Sequence, residues 1–148
     1  MSSTPATSPK EAEFIQVQAF AGRVRAAPEL ADREPHVTAR WLGESRSKVT
    51  SGAASLHLGG DGELNPMQAL LGTLAACDVD LVSMHAAMLG IEVVELWIEA
   101  SGRFHVARYL GLDSERSPGY QNIDYTVHLR VRDASPEQIG RASCRERV

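Results

Sequence analysis

The chain has 148 residues, 43% of them hydrophobic and 23% charged, with 15 Lys and Arg against 19 Asp and Glu. That is the profile of one globular domain able to build its own core. A net charge of −4 argues against a generic nucleic-acid or anionic-membrane binder, which needs a basic footprint. The longest apolar stretch, residues 69–77, is shorter than the roughly 18 residues of a membrane span. Two cysteines are too few for a disulfide scaffold, so a reducing cytoplasm is the expected compartment.

Residues 1–9, rich in Ser, Thr and Pro, lack the apolar run of a signal peptide and are expected to be disordered. A helix is expected over residues 10–27, where Phe14, Val17, Phe20 or Ala21, and Val24 fall roughly on one face. Three strand-like runs follow, at 37–42, 47–50 and 54–58, separated by turn-forming segments at 43–45 and 51–52. They predict an antiparallel meander. The glycine-rich loop at 59–62 is not followed by Gly-Lys-Ser/Thr and is read as a turn, not a phosphate cradle.

The strongest local signal is Asn65-Pro66-Met67-Gln68: an N-cap, a proline at the first helical position, and a Gln able to reach back to the cap. Leu70, Leu74, Cys77, Leu81, Met84 and Met88 then recur at helical spacing, and Gly90 supplies a left-handed C-cap. This predicts a long central helix with one apolar stripe, whose Met84 and Met88 pack in a core or an interface. Alternating residues from Ile91 to Ala100 and from Ile123 to Val131 predict two long strands joined by a loop over 111–120. Ser135 and Pro136 then open a second helix. The order is α+β in one domain.

That second helix is interrupted. Residues 139–148, Ile-Gly-Arg-Ala-Ser-Cys-Arg-Glu-Arg-Val, form a basic, nearly core-less segment. The decapeptide resembles the translation of a common sequencing-library adapter, and such scars are set aside in fold reasoning. On this expectation the native domain occupies residues 10–138 and Cys144 is not part of it. The decapeptide holds three arginines and one glutamate, leaving 12 basic against 18 acidic residues, a net charge of −6, and a single cysteine, Cys77.

A cysteine inside an apolar helical stripe is most simply a small buried hydrophobe. A reactive one must be a thiolate, which needs a cation or hydrogen-bond donor close by. The helix dipole fades within the first turn, and Cys77 lies beyond it, beside Asp78 and Asp80. Any activation has to come from outside the helix, with an arginine as the natural donor. The five histidines are scattered without zinc-ligand spacing, so no metal or cofactor is expected. His85 is too far along the helix from Cys77 to act as its direct base.

The run from Leu64 to Cys77, with Asn-Pro and Ala-Ala-Cys in this spacing, followed by Gly90-Ile-Glu-Val93 and a strand, resembles the OsmC/Ohr family. The resemblance covers about residues 37–138. It implies an intertwined homodimer in which an antiparallel sheet wraps two central helices and the active sites lie at the subunit interface. It implies a thiol-dependent peroxidase that reduces organic hydroperoxides or hydrogen peroxide in oxidative stress defence. A dithiol such as a lipoyl protein would restore the thiol, and neither nucleic acid nor membrane would be a partner. Cys77 matches the peroxidatic cysteine, and the resolving cysteine would lie beyond Gln138. Arg46 is the candidate activator, with Arg40 competing for the role. The hydroperoxide-resistance branch carries a Glu directly after Asn-Pro that helps hold this arginine; here the residue is Met67, so that carboxylate is missing. Met67 favours the alternative, a non-catalytic small-molecule-binding or structural member of the same fold with Cys77 buried. A further alternative is an inactive truncated product.

Overall fold

The computed structural model describes residues 9–113, 115 and 117–143. Most of the disorder expected for residues 1–9, and the question of Cys144, lie outside them; Pro9 already belongs to the first helix. That helix, α1, spans Pro9–Ala26, and a short 3-10 turn follows at Pro28–Ala31. The strands β1 (Thr38–Gly43), β2 (Arg46–Ser51) and β3 (Ala54–Leu58) precede helix α2 (Pro66–Met88). Strand β4 (Glu92–Arg103), the single turn α3 (Val106–Tyr109), strand β5 (Asn122–Arg132) and helix α4 (Pro136–Ser143) complete the order. The chain is α+β with antiparallel sheets, as the residue patterns predict.

The described chain divides into two compact units. One holds the segments up to Glu34, Asp78–Trp97 and the residues from His128 on; the other holds Pro35–Cys77 and Ile98–Val127. In the second unit the meander is antiparallel, with strand order β1-β2-β3. Two turns drive it. Gly43 (φ 106°) and Glu44 (φ 52°) turn the chain from β1 into β2 in left-handed backbone, and Gly52 (φ 56°) does so before β3. The Trp41 indole N–H donates to the Glu44 carbonyl at 3.0 Å, which secures the first turn.

Among the described residues the strands form two sheets, one of β1, β2 and β3 and one of β4 and β5. Their cross-strand contacts run in opposite senses: Glu92 to Arg132 at 2.9 Å, Glu95 to Arg130 at 2.6 Å, and Trp97 stacked on His128 with ring centroids 4.4 Å apart. In that unit Ala86 and Ile91 are buried, with Val93, Val131 and Ala134 packed around them.

Both expected helix starts are present. Asn65 N–H donates to Gln68 Oε1 at 3.0 Å while Gln68 N–H donates to Asn65 Oδ1 at 2.9 Å. The same reciprocal pair forms between Ser135 and Gln138. Each box satisfies two amides that the helix itself leaves unpaired and contributes about 1 kcal/mol. Helix α4 runs from this cap into the adapter-like residues, as far as Ser143.

On α2 the covered and the exposed faces are distinct. The leucine stripe is not the buried face: Leu70, Leu74, Leu81 and Met88 are 37–47% exposed, whereas Ala69, Val82, Ala86 and Ala87 are buried. The face that holds these small residues is the one this chain covers itself. On α1 the half-buried face likewise belongs to Val17, Ala21 and Val24, while Phe14 and Phe20 are exposed. By length and composition α2 is apolar enough to cross a membrane, but Asp78 and Asp80 sit at its middle, where a charge costs about 2.5–3.5 kcal/mol in a bilayer.

Candidate functional site

Cys77 is carried by α2, eleven residues after Pro66 and so about 16 Å from the start of the helix. It is a free thiol and, in the single chain, exposed, where an apolar helical stripe alone reads as the place of a small buried hydrophobe. The reason is the face it shares: Cys77 belongs to the leucine stripe, and that stripe is uncovered. The helix start is tied down by Tyr120, whose hydroxyl donates to the Met67 carbonyl at 2.8 Å. Tyr120 also meets Phe104 edge-on at 5.6 Å. It fits only because residue 102 is glycine; a Cβ there would lie 2.7 Å from the tyrosine ring.

Arg46 opens β2, and its guanidinium reaches Glu63, with an N–O separation of 3.9 Å. Glu63 is held in turn: Oε2 accepts from the Gly60 amide at 2.8 Å, and the Glu63 amide donates to the Gly60 carbonyl at 3.0 Å. The loop closes with Gly59 N–H donating to the Leu64 carbonyl at 3.0 Å. These groups line an open cleft of about 530 Å³, with Glu44, Ser45 and Asp61 on its walls and Cys77 not among its lining residues. Glu63, four positions before Met67, is thus the carboxylate that pairs with Arg46. No motif pointed to it, because the contact depends on the glycine turn folding Glu63 back over β2.

Two glycines make that turn possible. Gly59 has φ +87°, and a Cβ on it would collide with the Ser45 carbonyl; a Cβ on Gly60 would lie 2.8 Å from Glu63 Oε2 and 3.0 Å from Arg46 Nε. Gly59→Ala is therefore expected to lower stability by about 1–3 kcal/mol, read as a drop in the urea midpoint at unchanged slope. An unchanged midpoint would show that the turn opens at no cost.

The structure thus joins Arg46 to Glu63, and no hydrogen bond links Arg46 or Arg40 to Cys77 among the described residues. Arg40 lies mid-strand in β1, opposite Lys48 of β2. No group of three or more His, Cys, Asp or Glu that could hold a metal ion occurs among the described residues.

No protein-family model matches the sequence, and no curated protein matches it. Solved structures do match. An OsmC-like protein from Mycoplasma pneumoniae superposes with a TM-score of 0.64 at 19% identity, over 76% of this chain and 79% of that one. The fold is OsmC-like. A second structure, described only as structural genomics, gives 0.59 at 15% identity over 73% and 77% of the two chains. The organic hydroperoxide resistance protein OhrB of Bacillus subtilis gives 0.45 at 19% identity over 74% and 83%. Within the OsmC-like fold, the structure places Cys77 on a long, capped helix and leaves its sulfur open.

Proposed function

We propose that the protein is a thiol-dependent peroxidase in which Cys77 reduces organic hydroperoxides or hydrogen peroxide, acting as a homodimer in a reducing cytoplasm. The observation that carries this reading is the free, exposed Cys77 in an OsmC-like fold. The Cys77 thiolate attacks the terminal oxygen of the peroxide. An S–O bond forms, the O–O bond breaks, and the alkoxide leaves as an alcohol after taking up a proton. The sulfenic acid so formed is attacked at sulfur by one thiol of a dithiol, and water leaves. The second thiol of that dithiol displaces Cys77, which returns as a thiolate while the dithiol becomes a cyclic disulfide.

Arg46 is the candidate cation for the thiolate, with Glu63 as its anchor. A dimer is part of the reading because the leucines that flank Cys77 remain exposed in the single chain, and apolar stripes of this kind mark interaction surfaces. The alternative, a binding protein on the same fold, requires a covered and inert Cys77. The two separate on one experiment. Purified protein is mixed with cumene hydroperoxide and dihydrolipoamide, and peroxide loss is compared with that of Cys77→Ser. Equal consumption by the two overturns the peroxidase reading.

Glu63→Gln removes the charge that holds Arg46 while keeping the shape. Because the Arg46 side chain is 49% exposed, the pair contributes at most about 1 kcal/mol to folding. The variant is expected to melt close to wild type, and a larger loss would mark Glu63 as a folding residue.

A further inference from the structure

The meander carries a feature that the proposed chemistry does not use. Its register aligns Arg40 with Lys48, and Lys48 with His57. Side chains in register on neighbouring strands share a face, so the three basic residues form one row across the sheet. The adjacent row on that face is Thr38, Thr50 and Ser55, all hydroxyls. The opposite face carries Ala39, Val49 and Leu56 in one row and Trp41, Ser47 and Leu58 in the next.

Like charges directly opposite each other on a sheet are destabilising. Arg40, Lys48 and His57 nevertheless take part in no ion pair among the described residues; the pairs there belong to Arg46, Arg130 and Arg132. Arg40 and His57 are exposed and Lys48 half-buried. A chain of net charge −4 thus keeps an uncompensated basic row on an open sheet face, where opposed carboxylates would have been the stabilising choice.

We infer that this face is a docking surface for a short acidic segment of a protein partner. The shape favours a segment over a small anion, because small-molecule sites are concave and the cleft near Glu63 is lined by other residues. The dimensions fit as well. Strands lie about 4.8 Å apart, so the row spans roughly 10 Å, and same-side carboxylates of an extended peptide recur about every 7 Å. Two such carboxylates reach all three basic groups, and the hydroxyl row offers hydrogen bonds beside them. An extended polyanion, nucleic acid or a lipid surface, would also meet the net negative field of the whole chain. A peptide of a few residues feels only charges within the Debye length of about 8–10 Å.

The test uses the full chain and a fluorescein-labelled peptide of four Glu-Ser repeats, followed by anisotropy. Saturable binding is expected, weakening about tenfold or more between low and high salt, and again about tenfold or more in the double variant Arg40→Gln, Lys48→Gln. That variant relieves like-charge repulsion and should melt at or above wild type. Should it instead melt lower, Lys48→Thr must show a salt-sensitive loss of at least about threefold. Absent binding, binding that the variants leave unchanged, or tighter capture of a single-stranded DNA or of phosphatidylserine vesicles than of the peptide would overturn the proposal.

Discussion

Cys77→Ser is expected to lower hydroperoxide consumption by a factor on the order of 10³ or more, the scale of losing a nucleophile that no other group replaces. A serine hydroxyl stays protonated near neutral pH, and its oxygen has no counterpart to the sulfenic acid. The substitution changes one atom at an exposed position, where stability changes are usually within about 0.5 kcal/mol. The variant should therefore keep the wild-type melting temperature while losing turnover, which separates a chemical defect from a folding defect. A second readout follows the intermediate. Wild-type protein treated with cumene hydroperoxide and then dimedone should gain one adduct on Cys77, seen by mass spectrometry of its peptide. Residual turnover within about tenfold of wild type, or no adduct at any peroxide concentration, removes Cys77 from the mechanism.

What the residues disclosed in advance was local. The boxes at Asn65–Gln68 and Ser135–Gln138 join groups three positions apart, so their geometry follows from the helix itself. Gly90, with φ +70°, ends α2 for the same reason. The strands were legible from alternation, and Cys77 is singled out only by the family resemblance that the Asn-Pro to Ala-Ala-Cys run carries. What stayed hidden depends on distant chain. Periodicity shows that α2 has an apolar stripe but not which of its faces the rest of the chain will cover, and here the small residues Ala69, Ala86 and Ala87 took that place. Glu63 was invisible as a partner for Arg46 because the contact needs a tight glycine turn to reverse the chain. Tyr120 reaches Met67 across 53 positions, a distance at which no motif gives warning. The basic row is intermediate: each residue is plain in the sequence, and only the strand register brings the three together.

Leu74→Glu combined with Leu81→Glu is expected to turn a dimer into a monomer. These residues stand one turn before and one turn after Cys77 on α2, and they are 37% and 41% exposed in the single chain. Fully burying a leucine is worth about 1.5–3 kcal/mol, so covering the part still exposed on each contributes about 1 kcal/mol, and a two-fold interface counts each residue twice. Burying an unpaired carboxylate in its place adds a desolvation cost, so the pair of changes should raise the dimer dissociation constant by a factor on the order of 10³ or more. Sedimentation velocity across a concentration series reads this directly. Dimerisation stabilises a fold in proportion to protomer concentration, so the wild type should melt higher as it is concentrated and the double variant should not. Peroxide turnover ought to fall with the dimer, since the same stripe surrounds the sulfur and its cover would exclude water from the thiolate. A wild type that sediments as a monomer at about 100 µM would remove the dimer from the reading. A double variant that dimerises as before would place the interface elsewhere. A monomeric variant with wild-type turnover would leave Cys77 working on an open helix face, with no part of its chemistry drawn from a second copy.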